Sequence, residues 1–157
     1  MGFVRIDHVG LVAYSIDQAS EILGDALGLE LDEQRSNWPH GSYFAPEQTT
    51  NYFFAVGEGA TQVEILVPDD GATSGAARFL STKGPGLHHL CYACEDVHAE
   101  AERLIGRGLR EVELPRPANT KRNVAFFHPK TTGGVLTELV PVINPNRVHD
   151  PNTPHRH

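Results

Sequence analysis

Hydrophobic and polar residues alternate along the first half of the chain with two different periods, which predict strands and one helix. An apolar run at residues 4–13 predicts a strand that carries His8. Ser15 begins a capping box of the S-x-x-Q type, and apolar residues follow it at helical spacing as far as Gly28, which ends the helix. Further apolar segments predict strands at residues 29–34, 50–56 and 61–67, and turn-forming residues predict a loop at 36–46.

The second half of the chain repeats this order of elements. A predicted strand at residues 87–93 carries His89, and Asp96 is the predicted N-cap of a helix over residues 97–106. Three more strands are predicted at residues 110–114, 123–128 and 134–141, after a short helix between the halves at 76–81. Each half is thus β-α-β-β-β. Because one such unit exposes an apolar sheet face, the pattern predicts an α+β fold in which two tandem units form a curled sheet around a cleft.

The repeat predicts a single domain. Repeat one spans about residues 3–68 and repeat two about residues 86–142, so the predicted domain covers residues 1–142. A chain of 157 residues with 39% hydrophobic residues has the length and composition of one compact domain. Residues 143–157 are polar and proline-rich, and we expect them to form a tail that contributes nothing to the core.

Charge and hydropathy argue against several functions. The net charge of −7 disfavours nucleic acid as a partner, which needs a basic surface. No apolar run approaches the roughly 18 residues that span a membrane, and the first residues resemble no signal peptide, so a cytoplasmic protein is predicted.

Cys91 and Cys94 lie three apart in one predicted strand and should point to opposite faces, which predicts two reduced thiols rather than a metal-binding pair.

A histidine and a glutamate recur at matching positions of the two halves. His8 and His89 occupy the first strand of each half. Glu64 and Glu138 each lie in an apolar strand that ends in Leu-Val-Pro. Imidazoles and carboxylates are common ligands of divalent transition metals. Two copies of one unit, each with one histidine and one glutamate, therefore predict a shared metal site.

Three segments of the chain resemble the vicinal oxygen chelate superfamily of glyoxalases, bleomycin resistance proteins and dioxygenases. They read IDHVG at residues 6–10, GLHHL at 86–90 and FHPKTTGGVLTEL at 127–139. The last segment is most similar to the methylmalonyl-CoA epimerases. The resemblance implies a metal held by His8, Glu64, His89 and Glu138. The internal repeat supports the choice of His89 over His88 and of Glu64 over Gln62.

The resemblance also implies a reaction. The cofactor would be divalent cobalt, manganese, nickel or zinc, and it would bind the carboxylate and thioester oxygens of a 2-substituted malonyl-CoA such as methylmalonyl-CoA. The enzyme would be an isomerase of the epimerase class. It would remove the α-proton and so form an enolate that the metal stabilises. The expected partners are this small acyl-CoA and a second copy of the chain in a homodimer. A glyoxalase-type lyase or isomerase that acts on another metal-chelating carbonyl substrate is the alternative.

The base that removes the α-proton is where the chain departs from the epimerases. In those relatives a glutamate on the third strand of the first half follows a Glu-Gln pair. This chain keeps the pair as Glu47-Gln48 but has Tyr52 where the glutamate is expected, and a tyrosine with a pKa near 10 is a poor base at neutral pH. Three alternatives follow: Glu47 acts from its loop, Glu138 or Glu64 acts from the metal site, or Tyr52 donates a hydrogen bond. The predicted catalytic residues are Glu47, Glu138 and Tyr52.

Overall fold

The computed structural model describes residues 2–142, and the elements follow the predicted order with one additional short strand. The strands are β1 (Phe3–Val12), β2 (Glu30–Leu31), β3 (Ser42–Phe44), β4 (Thr49–Ala55), β5 (Gln62–Pro68), β6 (Gly86–Cys94), β7 (Glu111–Val112), β8 (Ala125–Phe127) and β9 (Leu136–Pro141). The α-helices are α1 (Ile16–Ser20), which continues as a π-helical segment (Glu21–Ala26), α2 (Gly75–Lys83) and α3 (Val97–Gly106). Short 3₁₀ turns span Ala45–Glu47 and Pro129–Thr131. None of the helices in this part of the chain has the length and hydropathy needed to cross a bilayer. The predicted tail at 143–157 lies outside the described residues.

The segment predicted as a loop at residues 36–46 contains the short strand β3, so this prediction was wrong in part. Ser42 and Phe44 are buried and Tyr43 between them is exposed, which is the alternation of a strand. Three residues are too few for this period to be detected among turn formers. β3 forms because it pairs antiparallel with the edge of β4, from Ser42 opposite Asn51 to Phe44 opposite Thr49.

Contacts divide the described chain into two compact units that differ from the two sequence repeats. Unit one contains residues 2–9 and 89–142, and unit two contains residues 10–88. The boundary therefore passes through β1 and through β6. Each unit has its own sheet pairings and its own apolar clusters.

Unit two is built around β4, which pairs antiparallel with β2, β3 and β5. In the pairing of β4 with β5, Tyr52 lies opposite Ile65 and Phe53 lies opposite Glu64. Because successive side chains point to opposite faces, Tyr52 and Glu64 belong to different faces of these strands. The Tyr52 side, here called the helix-covered face, packs in an apolar cluster of Ala13, Ala19, Leu23, Tyr52, Phe54 and Ile65. The other side is here called the Glu64 face.

Unit one is built around β9, which pairs parallel with β6 and antiparallel with β8, while β8 also pairs with β7. Cys94 packs against α3 in one cluster, and Cys91 packs with Ala93 and Val140 in another. Both thiols are free and buried. The prediction that the two cysteines point to opposite faces is therefore confirmed. Cys91 lies opposite Glu138 in the register of β6 with β9, so the side chain of Glu138 shares the Cys91 face.

Candidate metal centre

Three of the four predicted ligands converge within unit one. His8 Nε2 lies 3.1 Å from His89 Nε2 and 3.0 Å from Glu138 Oε1, and His89 Nε2 lies 3.2 Å from the same carboxylate oxygen. The three side chains come from β1, β6 and β9, and they are 0%, 3% and 0% exposed. The imidazole rings meet edge to face with centroids 5.2 Å apart. Three strands that are distant in sequence thus bring two ring nitrogens and one carboxylate oxygen to a single buried point.

These three atoms fit a divalent metal ion. Ligand atoms bound at about 2.0–2.2 Å lie roughly 3 Å from one another around a divalent metal, which is the separation observed here. Two imidazoles and a carboxylate are a donor set that zinc, cobalt, nickel and manganese accept. The cluster is one that could hold a metal ion. The residues present therefore agree with the metal site that the internal repeat predicts.

Asp7 supports the site and was missed in the sequence analysis. Its Oδ2 lies 2.8 Å from His8 Nδ1, and its side chain is buried. When Nε2 of His8 binds a metal, the ring hydrogen is on Nδ1, which donates it to the Asp7 carboxylate. Carboxylates that orient metal-binding histidines in this way raise the basicity of the ring. The available signal was an acidic residue inside an apolar strand, directly before His8.

The two adjacent histidines of β6 have different surroundings. His89 lies in the cluster with His8 and Glu138, whereas the ring of His88 contacts the ring of Phe79 edge to face, with centroids 5.6 Å apart. Neighbouring residues of a strand point to opposite faces, so only one of the two can join the cluster. The structure places the predicted ligand, His89, there.

Glu64, the fourth predicted ligand, belongs to unit two. It lies in the middle of β5, is 1% exposed, and faces the same side of the sheet as Phe53 on β4. A buried carboxylate in the centre of an apolar strand needs a polar partner or a metal, because burying an isolated charge is costly. Its assignment as a ligand remains a prediction that rests on the internal repeat.

Glu47, a predicted catalytic residue, binds the start of a helix. It lies in the 3₁₀ turn before β4, is half-buried, and its Oε2 accepts a hydrogen bond from the backbone N–H of Ala76 at 3.0 Å. Ala76 is in the first turn of α2, where backbone N–H groups lack partners within the helix. A negative charge is also favourable at the positive end of the helix dipole. The observed role of Glu47 is therefore to cap α2.

Tyr52, another predicted catalytic residue, lies on the helix-covered face and not on the Glu64 face. It is 7% exposed, and its ring meets that of Trp38 edge to face with centroids 6.1 Å apart. Burial, and to a smaller extent the charge of Asp17, raises the pKa of Tyr52 above its usual value of 10.0. Both the direction of the side chain and its pKa argue against a role beside Glu64. The β4 residue directly opposite Glu64 is Phe53.

The comparison with known families agrees with this geometry. The family model of the Glyoxalase/Bleomycin resistance protein/Dioxygenase superfamily matches residues 7–126. The chain belongs to this superfamily. Three similar proteins, one known by sequence and two by structure, are named as epimerases of malonyl-CoA derivatives. The ethylmalonyl-CoA/methylmalonyl-CoA epimerase of Cereibacter sphaeroides is 32% identical over 139 residues, which cover 86% of this chain and 96% of the relative.

Solved structures of epimerases share the fold of this superfamily member. The crystal structure of methylmalonyl-CoA epimerase from Mycobacterium tuberculosis has a TM-score of 0.72 and 32% sequence identity, over 90% of each chain. A methylmalonyl-CoA epimerase in complex with methylmalonyl-CoA and NH4+ has a TM-score of 0.72 and 27% identity, over 89% of this chain and 95% of the other. The predicted fold class, the resemblance to methylmalonyl-CoA epimerases and the prediction of an epimerase-like enzyme are confirmed by these relatives.

Proposed function

We propose that the protein is an epimerase of a 2-substituted malonyl-CoA such as methylmalonyl-CoA, with a divalent metal held by His8, His89, Glu138 and Glu64. The observation that carries the proposal is the meeting of two imidazole nitrogens and one carboxylate oxygen at 3.0–3.2 Å. The similarity to enzymes named for this activity supports it. Glu64 is added because it matches Glu138 under the internal repeat.

The buried side chains suit this chemistry. A divalent metal held by them supplies Lewis-acid stabilisation of the negative charge that develops on a substrate oxygen when the α-proton leaves. Asp7 keeps the His8 ring in one orientation through its 2.8 Å hydrogen bond. Burial of His8 and Glu138 excludes water, which strengthens the electrostatic interactions between the site and the substrate.

Epimerisation needs a group that removes a proton from one face of C2 and a group that returns a proton to the other face. The two repeats supply one buried carboxylate each, Glu64 and Glu138. We assign proton transfer to this pair. The carboxylate of one glutamate takes the α-proton on an oxygen that is not bound to the metal, and the electron pair of the broken C2–H bond enters the enolate. The other glutamate starts protonated and gives its proton to the opposite face of C2, so the two glutamates exchange protonation states. Glu47 is engaged with α2 and Tyr52 faces away from Glu64, so neither is assigned this role.

The experiment is hydrogen–deuterium exchange at C2 of methylmalonyl-CoA in D2O, followed by NMR with metal-loaded protein. We expect wild type to exchange the C2 proton of both epimers, and Glu138→Gln and Glu64→Gln each to lose exchange of the epimer whose α-proton faces the missing carboxylate. Glu95→Gln changes an exposed carboxylate and should keep the wild-type rate. Elemental analysis of each variant separates the two roles: a variant that keeps the metal and loses exchange has lost a proton-transfer group.

The epimerase assignment would be refuted if wild type holds a full complement of metal and exchanges no C2 proton. A lyase or isomerase acting on another metal-chelating carbonyl substrate would then be the better assignment, because the same ligands serve both reactions. The identity of the metal, homodimerisation and a cytoplasmic location stay predictions. Elemental analysis, sedimentation of the purified chain and cell fractionation test them in turn.

A further inference from the structure

Two buried polar side chains on β4 have no hydrogen-bond partner among residues 2–142. They are Asn51, which is 1% exposed and lacks partners at both Nδ2 and Oδ1, and Thr49, whose Oγ1 is also unpartnered. Most buried polar groups in proteins are hydrogen-bonded, and leaving one unpaired destabilises the folded state. The pair therefore requires a physical explanation.

The position of these residues points to the candidate site. Every second residue of β4 lies on the Glu64 face, namely Thr49, Asn51 and Phe53, and Phe53 is directly opposite Glu64. Asn51 is thus a diagonal neighbour of Glu64, and such neighbours have backbones roughly 7–8 Å apart. Asn51 and Glu64 are each 1% exposed. A substrate that reaches Glu64 must therefore gain access to the face of the sheet that also carries Asn51.

Another buried hydroxyl of unit two shows that the fold can satisfy such groups. Ser36 is fully buried, and its Oγ accepts a hydrogen bond from the backbone N–H of Phe53 at 2.8 Å and donates one to the carbonyl oxygen of the same residue at 3.4 Å. Loose packing of polar groups in this unit is therefore not the reason that Asn51 lacks partners. A group that enters from outside residues 2–142 is the remaining source.

We propose that Asn51, assisted by Thr49, binds the first amide of the pantetheine arm of the acyl-CoA substrate, an inference that rests on the proposed function. The malonyl head carries only hydrogen-bond acceptors. The side chain of asparagine offers a donor and an acceptor together, and both are unpartnered here. The pantetheine amide offers the complementary C=O and N–H, and only a short ethylene spacer separates it from the thioester sulfur. Asn51 is a substrate-binding residue in this assignment and transfers no proton.

The test compares two substrates that differ in this amide. C2 exchange is measured for wild type and Asn51→Leu with the methylmalonyl thioester of pantetheine and with the methylmalonyl thioester of ethanethiol. We expect Asn51→Leu to lower kcat/KM for the pantetheine thioester by about tenfold or more, the effect of losing one or two hydrogen bonds. Its kcat/KM for the ethyl thioester should equal that of wild type, which also shows that the variant is folded and holds its metal.

Thermal denaturation supplies a second readout. Leucine has the same branching and number of side-chain heavy atoms as asparagine and removes the two unpartnered polar atoms, so the free Asn51→Leu protein should melt at or above the wild-type temperature. Ser36→Ala is the matched control. It removes a buried polar group that is hydrogen-bonded, so we expect it to lower the melting temperature. Its kcat/KM should change by the same factor for both thioesters.

Equal losses on both thioesters, or no loss on either, would overturn the assignment of Asn51 to the arm. Binding of propionyl-CoA, which has the arm and lacks the carboxylate, tests it without catalysis. We expect a weaker Kd for Asn51→Leu than for wild type, and equal values would again overturn the assignment. Failure of the proposed function has a different result, because wild type would then exchange the C2 proton of neither thioester.

Discussion

Replacing Glu47 by glutamine separates its structural role from a catalytic one. In the structure its carboxylate caps α2 through the Ala76 N–H at 3.0 Å, and Ser74 caps the same helix through the Ala77 N–H at 3.2 Å. If this is the whole role of Glu47, the Glu47→Gln variant should exchange the C2 proton of methylmalonyl-CoA at the wild-type rate. It should differ from wild type only in stability.

The size of the stability change follows from the contact. A carboxylate at a helix N-terminus contributes about 0.3–1 kcal/mol, and glutamine keeps an oxygen that can accept the same hydrogen bond. Glu47→Ala removes the acceptor as well, which costs about 1–2 kcal/mol, as for other lost caps. Since about 1 kcal/mol shifts the midpoint of a chain of this length by roughly 2–4 °C, we expect drops of about 1–4 °C for glutamine and about 2–8 °C for alanine. Ser74 limits both losses because it continues to cap the helix.

The assay pairs calorimetric melting with NMR-detected exchange, both at full metal occupancy. Glu58→Gln is the control, since Glu58 is an exposed carboxylate in the turn between β4 and β5. The reasoning is refuted if Glu47→Gln melts like wild type and has lost exchange while it keeps the metal. Glu47 would then be the base, and its contact with α2 would be incidental.

Three further predictions test the site. His89→Ala should lose the bound metal after dialysis against a chelator while His88→Ala retains it, and equal metal content by elemental analysis would contradict the ligand assignment. Asp7→Asn should weaken metal affinity by about tenfold to hundredfold, as loss of a carboxylate behind a metal-binding histidine commonly does, and competition with a fluorescent chelator measures this. Tyr52→Phe should keep the wild-type exchange rate, because Tyr52 lies on the helix-covered face, and a large loss of kcat with metal retained would show that the side chain reaches the substrate.

Local patterns in the sequence were sufficient for most of the helices and strands. The predicted helix at 97–106 is observed as α3 (Val97–Gly106), and its cap Asp96 accepts a hydrogen bond from Ala99 N–H at 2.9 Å. Ser15 likewise accepts from Gln18 N–H at 3.2 Å. Caps and periodicity involve residues a few positions apart, so one sequence contains all the information that they require. The repeat added the candidate ligands, because two copies of a unit place equivalent residues at equivalent points.

The tertiary structure decided which face of β4 each residue occupies and where the distant hydrogen bonds go. The resemblance placed Tyr52 at the glutamate position of the relatives, but the register with β5 puts Phe53 opposite Glu64. A shift of one residue reverses the face of a strand, and strand pairing across a hairpin sets that register. The contact of Glu47 with α2, and the lack of a hydrogen-bond partner for Asn51 among residues 2–142, likewise depend on elements distant in sequence. Sequence periodicity records the neighbours of a residue along the chain, whereas pairing and packing decide its neighbours in space.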